Sequence, residues 1–273
     1  MAFSVNTNGG ALLALRSLNK STNLLQTVQN RVSTGLKVSS AKDNAAVFNI
    51  AQKLRSTVAG LGAVKASLDR GISATDVAVS AAEAVSDLLN ELKAKAVAAK
   101  DSGLDTASRT ALNDEFKELR DSITSIVDNA EFNGINAVKS DNIVAIVNAD
   151  ASKVISISVQ KLSLGSGNIT ITGGSTIDTQ DKASVVLAQI DASITKVGTV
   201  LSKLGSGAKR IELQRNFIDS LSDSIEVGIG NLVDADLARE SANLQALQVR
   251  QQLGLQALSI ANQAPGAVLA LFQ

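Results

Sequence analysis

The chain of 273 residues contains no cysteine, histidine, tryptophan or tyrosine, and its single proline is Pro265. These absences exclude disulfides, thiol nucleophiles, histidine general bases and the two commonest zinc ligands. Serine–lysine and paired-carboxylate chemistry stays formally possible, but no spacing singles out such a pair. Most familiar catalytic constellations are therefore unavailable, and we expect no metal site and no cofactor. The scarcity of proline also leaves almost the whole chain free to form uninterrupted helix.

The charges and the apolar runs bear on targeting and on binding partners. The formal net charge is zero and the pI is about 6.4, so we expect no nucleic-acid partner. No run resembles a secretory signal or is apolar for long enough to cross a bilayer, so we expect no membrane segment. The first 42 residues, however, contain basic side chains and no acid. They could be a mitochondrial transit peptide or a basic helix that packs against other chains.

Apolar residues recur every three or four positions over most of the chain, which is the heptad pattern of packed helices. One such stripe runs from Val47 to Ala96, a shorter one from Leu112 to Ala130, and another from Leu187 to Leu232. A helix of about 50 residues is about 75 Å long at 1.5 Å per residue. The pattern predicts a mainly α fold, an elongated and coiled-coil-like helical bundle.

Both ends of the chain carry the same pattern. The N-terminal stripe includes Leu18, Leu25, Val28 and Val32. The C-terminal segment carries two stripes, one of Ala242, Ala246, Val249, Leu253, Ala257, Ile260 and Ala264, the other of Leu237, Leu244, Leu247, Leu255 and Leu258. Two stripes on one helix imply more than one neighbouring helix.

The middle of the chain differs from its flanks. Residues 142–148, 154–160 and 168–172 are rich in β-branched residues with partial alternation, and turn-like residues separate them. The pattern predicts a small insertion of β-hairpins at about residues 138–178.

Two short stretches interrupt the helical pattern. In "STGLKVSSAKDNAA", residues 33–46, Gly35 fits a left-handed helix end, while Ser40 and Asp43 match a capping box that starts the next helix. We expect the apolar residues of this connector, Leu36 and Val38, to pack onto a neighbouring chain. In "EFNG", residues 131–134, Asn133 and Gly134 predict a turn.

Three blocks of sequence resemble bacterial flagellins. They are "LNKSTNLLQTVQNRVSTGLKVSSAKDNAAVFNIAQKLRS" at residues 18–56, "EFNG" at residues 131–134, and "DADLARESANLQALQVRQQLGLQALSIANQAPGAVLALF" at residues 234–272. The resemblance implies a structural subunit of the extracellular flagellar filament, without catalytic activity, that self-assembles for swimming motility. Fewer than 50 residues separate Gly134 from Asp181, which resembles the short flagellins without large outer domains.

The resemblance also implies a domain organisation. Residues 1–36 and 232–273 would pair as an inner domain that lines a central channel, and residues 37–231 would form a rod-shaped helical domain with β-hairpins. The subunit interface would then include the apolar residues of the two ends, namely Leu18, Leu25, Val28, Val32, Leu36, Leu244, Leu247, Val249, Leu253, Leu258 and Ile260.

Several partners follow from the same resemblance. The chain would form a homo-oligomer of many copies, pass through the type III export apparatus, and meet the filament cap and hook-junction proteins. A secretion chaperone would cover the C-terminal helix at Leu237, Leu244, Leu247, Leu255 and Leu258. An innate receptor recognises a helical motif in many flagellins; Glu91 and Lys95 depart from that motif here, which predicts weak recognition.

Two other functions stay open from the sequence. A hook–filament junction protein would share related terminal helices. An intracellular coiled-coil scaffold would use the basic N-terminus as a transit peptide and would not need it in the mature protein.

Overall fold

The computed structural model describes the backbone of residues 7–269 and the side chains of residues 7–263, and its elements are mostly helices, as predicted. The terminal helices α1 and α5 pack against each other, which confirms that the two ends pair. The elements in chain order are α1 (Gly9–Thr34), α2 (Ala45–Ala99), α3 (Thr106–Asn129), β1 (Ile143–Ile146), β2 (Val154–Ile157), α4 (Gln180–Val233) and α5 (Leu237–Leu269).

The chain divides into two compact units, which we call the terminal unit and the middle unit. The terminal unit comprises the residues up to 56 and those from 224 onward, and the middle unit comprises residues 57–223. The helices α2 and α4 each contribute to both units.

The predicted heptad stripes form the core of the middle unit. In α2 the stripe from Leu61 to Ala96 is buried almost without interruption, and Leu89 and Leu92 are completely inaccessible to solvent. Ion pairs between Lys93 and Asp191 and between Asp69 and Arg215 set α2 antiparallel to α4. Fully buried residues of the other two helices complete this core; they include Phe116, Ile123, Ile190 and Leu204.

Capping side chains fix the start of α3 and the end of α2. The carboxylate of Asp105 accepts a hydrogen bond from the backbone N–H of Ser108, and these contacts with Ser108 lower the pKa of Asp105. The guanidinium of Arg109 donates to the carbonyls of Ala99, Asp101 and Leu104. Arg109 therefore binds carbonyls at the end of α2 and in the following turn, which helices otherwise leave unpaired.

The β insertion is a single antiparallel hairpin. Ile143 pairs with Ile157 and Ile146 pairs with Val154, which agrees with two of the three predicted strands. The third prediction, at residues 168–172, is wrong, because this segment has no strand. Its Ile169 and Ile171 are fully buried, while the backbone N–H of Thr170 donates to the Ser193 hydroxyl of α4 at 3.0 Å. Alternation of buried and polar residues thus reflects packing against a helix here.

The start of α2 also differs from the prediction. Asp43 does accept hydrogen bonds from the backbone N–H groups of Ser39 and Ser40, as in one half of a capping box. These bonds close a separate turn, however, and α2 begins at Ala45, where the Asn44 side chain accepts from the backbone N–H of Val47 at 3.1 Å. Asn44 is therefore the N-cap, a role for which asparagine is favoured as much as serine.

The "EFNG" turn forms as predicted. Asn133 and Gly134 both have left-handed backbone angles, with φ of 50° and 81°. Phe132 and Ile135 exchange two backbone hydrogen bonds of 3.0 Å across them.

One expectation about hydropathy needs correction. The helix α4 contains an 18-residue window with a mean hydropathy of 1.3, long and apolar enough by composition to cross a membrane. Its buried residues nevertheless recur every three or four positions, from Val186 and Ile190 to Val197 and Leu204. This spacing is that of a helix packed along one face within a protein.

Candidate assembly surface

One face of α1 packs against one face of α5 in the terminal unit. Leu25, Val28 and Leu247 form a buried cluster, with Val32 and Leu244 packed around it. These five residues are among the predicted interface residues, and the structure places them between two helices of the same chain. They hold the helix pair together before any second copy is present.

Polar contacts fix the alignment of this helix pair at both ends. The Asn8 side chain caps α1 and donates to the carbonyl of Ala261 at 2.7 Å. Arg31, in the last turn of α1, pairs with Glu240 of α5 at 3.1 Å. Because Glu240 is 9% exposed, its carboxylate is largely shielded from solvent, and loss of Arg31 would leave it without this counter-charge.

A glycine allows close approach of the two helices between these ends. A Cβ added at Gly254 would lie 3.2 Å from Cδ1 of Leu18, which is tighter than an ordinary contact. Leu18 and Leu258, both predicted interface residues, are half-buried in this region.

The connector after α1 is tied to the segment before α5. Gly35 has a φ of 71°, and its N–H donates to the carbonyl of Arg31 at 2.9 Å, so it ends α1 in the predicted left-handed conformation. Leu36 forms an isolated β-bridge with Asp234. The backbone N–H groups of Lys37 and Val38 both donate to the carbonyl of Val233. Val38 is only 5% exposed. The expectation that Val38 packs onto another chain is therefore wrong, since its own chain already buries it.

The connector also places a carboxylate among backbone donors. The N–H of Ser40 and the hydroxyl of Ser39 donate to Asp43 and lower its pKa. Asp43 thus stays ionised under all but acidic conditions and holds this exposed turn.

A second face of α5 is apolar and open to solvent. Ile260 is 69% exposed and Leu253 is 57% exposed, although both lie on a long heptad stripe. Val249 of the same stripe is exposed too, as are Leu237 and Leu255 of the other stripe. Of the predicted interface residues, Val249, Leu253 and Ile260 are the exposed ones in a single copy. The side chain of Ala264, at the end of the same stripe, lies outside the described residues.

The helix α1 has an exposed apolar face of its own. Leu13 is 71% exposed, and Leu12, Leu15 and Leu24 accompany it. Periodicity does not predict this face, because these four leucines do not recur at a regular spacing of three or four residues. Together, the exposed apolar residues of α1 and α5 are called the open face below.

Basic side chains accompany the open face. The helix α1 carries Arg16 and Lys20, both exposed, and no carboxylate, while Glu240 is the one acidic residue of α5. An exposed apolar patch rimmed by polar or charged residues is typical of an interaction site.

Comparison with known proteins identifies the class. The model of the bacterial flagellin N-terminal helical region matches residues 5–142, and that of the C-terminal helical region matches residues 187–272. The flagellin FljK of Caulobacter vibrioides is 43% identical over 99% of this chain and 98% of its own length. A flagellin of Brucella melitensis is 34% identical over 99% of each chain.

A solved structure shares the fold. The putative flagellar hook-associated protein from Vibrio parahaemolyticus superposes with a TM-score of 0.58, covering 70% of this chain and all of that one, at 14% identity. This likeness concerns the fold alone.

The chain belongs to the bacterial flagellin family. It is a short flagellin, a structural subunit of the flagellar filament, which is assembled in many copies outside the cell.

Proposed function

We propose that the open face of the terminal unit drives the assembly of this flagellin into its filament. One observation supports this: α1 and α5 bury one apolar stripe against each other and leave a second one exposed, as at Leu253 and Ile260. Contiguous exposed apolar surface on a soluble chain marks an interaction site. Packing of neighbouring copies would bury it, and the role is structural, without a catalytic step.

The domain organisation that we propose places the open face in the inner domain. Residues 1–36 and 232–273 form the inner domain, in which the paired helices line the channel, and residues 37–231 form the rod-shaped domain. The connector at Gly35 carries the chain from one to the other. Its hydrogen bonds to the carbonyl of Val233 support this role. They join the two places where the chain passes between the domains, one after α1 and one before α5.

Before assembly, we propose that a secretion chaperone covers α5. Leu237 and Leu255 are half or more exposed and Leu258 is half-buried, whereas Leu244 and Leu247 face α1. A chaperone that binds all five leucines must therefore separate α5 from α1. Export through the type III apparatus and contact with the filament cap and hook-junction proteins complete the proposed partners.

Weak recognition by the innate receptor remains a prediction. Glu91 is exposed on α2, and Lys95 forms an ion pair with Glu115 of α3. The charged end of Lys95 is thus bound to its own chain, and Lys95 does not supply the apolar contact of the motif.

A hook–filament junction role is the second candidate. It is favoured by the fold shared with the hook-associated protein of Vibrio parahaemolyticus. The full-length identity to flagellins of Caulobacter vibrioides favours the filament.

Seeded growth separates the two candidates. Purified monomer added to sheared filament fragments should produce long filaments, measured by electron microscopy. A monomer that adds a single layer and stops would overturn the filament role in favour of the junction role. As a control, the variant Leu253→Asp, which places a charge on the open face, should fail to elongate while keeping the helical circular dichroism spectrum of the unaltered chain.

A further inference from the structure

The middle unit has two charged surfaces of opposite sign that do not meet in one copy. The first is a row of carboxylates on α2, Asp76, Glu83, Asp87 and Glu91, which we call the acidic ridge. Spacings of seven, four and four residues place them on one side of the helix. The buried residues Ala78, Val85 and Leu92 occupy the opposite side, so the ridge points away from the core.

The acidic ridge has no ion-pair partner in the part of its own chain that the structure describes. All four residues are exposed, and none of them forms an ion pair within residues 7–263, whose side chains are described. By contrast, neighbouring charges on the same helix are paired: Lys65 with Asp219 and Lys93 with Asp191. A row of like charges repels itself and lowers stability, so a counter-charge from outside would be favourable.

The second surface is a groove between β2 and α4, which we call the basic groove. Lys203 and Arg210 supply its charges, and hydroxyl groups line it at Ser158, Ser202 and Ser206. None of its lining residues is acidic. In α4 no carboxylate occurs between Asp191 and Glu212, although acidic residues outnumber basic ones in the middle unit. The groove is thus a basic region on a unit whose net charge is negative.

Close packing and hydrogen bonds fix the shape of the groove. A Cβ added at Gly207 would lie 2.6 Å from Cδ1 of Ile157, so the hairpin sits directly on α4 there. Arg210 donates to the carbonyl of Ser156 at 2.5 Å, which holds its guanidinium at the rim. Ser202 and Ser206 donate to carbonyls of their own helix, which leaves their oxygen atoms free to accept. The Lys203 ammonium has no ion-pair partner among the described side chains.

We propose that the acidic ridge of one copy docks into the basic groove of the next copy. The occupant is a second copy because the two surfaces are complementary in charge, lie on the same unit, and are both unpaired in a single copy. Such a contact joins different patches of the two partners. A contact of this kind either closes a ring or continues into an open helical assembly. The inference rests on the proposed function and adds the residues that set the register of neighbouring middle units.

The test is a charge-swap series in the full chain. The groove variant is Ser202→Glu with Lys203→Glu, which leaves Arg210 and its contact with the hairpin in place. The ridge variant is Glu83→Lys with Asp87→Lys. We expect each variant alone to slow seeded elongation at least about tenfold. Like charges that face each other across an interface lower the affinity by a factor of about ten or more. The control Glu118→Lys with Glu131→Lys changes exposed, unpaired carboxylates outside the ridge and should elongate normally.

Combining the two variants in one chain should restore elongation, because a reversed ridge then meets a reversed groove. An equimolar mixture of the two separate variants should also elongate, in alternating order. An additive defect in the combined chain would overturn the inference. So would a defect of the groove variant with no defect of the ridge variant, which would indicate that the groove takes an anion other than this ridge. The unaltered chain tests the proposed function separately, since its failure to elongate would contradict that function whatever the variants do.

Discussion

The same heptad pattern is buried in the middle unit but only partly buried in the terminal unit. In the middle unit the stripe of α2 is buried from Leu61 to Ala96 by the same chain. In the terminal unit one stripe of α5 is buried at Leu247, while another is exposed at Leu253 and Ile260. A heptad stripe therefore indicates that a helix needs a neighbour, but not whether that neighbour belongs to the same copy.

The difference suggests a division of labour. The middle unit has enough internal partners to be stable in a single copy, since its own helices bury the heptad stripes, although single residues such as Leu213 and Phe217 stay exposed. The terminal unit keeps a small core of Leu25, Val28 and Leu247 and leaves the rest of its apolar surface to assembly.

The largest expected effect comes from charging the open face. The double variant Leu253→Asp with Ile260→Asp should abolish seeded elongation, because two carboxylates would have to be buried between copies. Stability of the monomer should change little, since both side chains are exposed. Elongation is measured by light scattering and electron microscopy. Normal filaments would contradict the claim that assembly buries the exposed stripe of the terminal unit.

The next effect concerns the middle core. Leu89→Ala should lower the free energy of unfolding by about 2–5 kcal/mol, because Leu89 is completely buried and a cavity remains. The matched substitution Leu253→Ala should change it by no more than about 0.5 kcal/mol, as for other surface positions. Denaturant titration followed by circular dichroism gives both values. Equal losses would show that the two stripes are packed alike in the monomer.

A smaller effect is expected at the connector. Gly35→Val places a β-branched residue at a φ of 71°, which costs about 1–3 kcal/mol. The strain falls on the end of α1, so the middle unit should keep its denaturation midpoint while elongation slows. The control Gly62→Ala substitutes an exposed glycine with open space around its Cα. Unchanged filament growth in Gly35→Val would refute the role given to the connector.

The smallest effect is a pH dependence of the middle unit. Hydrogen bonds with Ser108 lower the pKa of Asp105 in the folded state. Its contribution to stability is therefore fully present above the ordinary pKa of aspartate and is lost as the pH falls through the lowered value. The variant Asp105→Asn should show a shallower loss of stability between pH 5 and 2, measured by thermal denaturation. An identical pH profile would show that this cap does not contribute.

The residues that could be predicted from sequence are those governed by periodicity or by a special backbone angle. The stripe of α2, the left-handed Gly35 and the Asn133–Gly134 turn are examples. The prediction of a strand at residues 168–172 was wrong because alternating burial also arises when an extended segment packs Ile169 and Ile171 onto a helix. The N-cap of α2 was misplaced because Ser40 and Asn44 are both good caps and only the fold selects one.

Other features depend on distances between remote parts of the chain. The pairing of Arg31 with Glu240 joins residues at opposite ends of the sequence. Which of the two stripes on α5 faces α1 is decided by small residues such as Gly254, whose contact with Leu18 no periodicity reveals. The basic groove likewise arises because the hairpin lies over Gly207 of α4.

The central claim is that the open face of the terminal unit is buried only in the filament. Because the chain has no cysteine, Val249→Cys introduces a unique thiol on that face, and Ser102→Cys introduces one in an exposed turn of the middle unit. Labelling with a maleimide reagent should be fast at both positions in the monomer. In filaments, the account predicts that labelling at position 249 becomes at least about tenfold slower while labelling at position 102 stays fast. Equal labelling of position 249 in monomer and filament would contradict it.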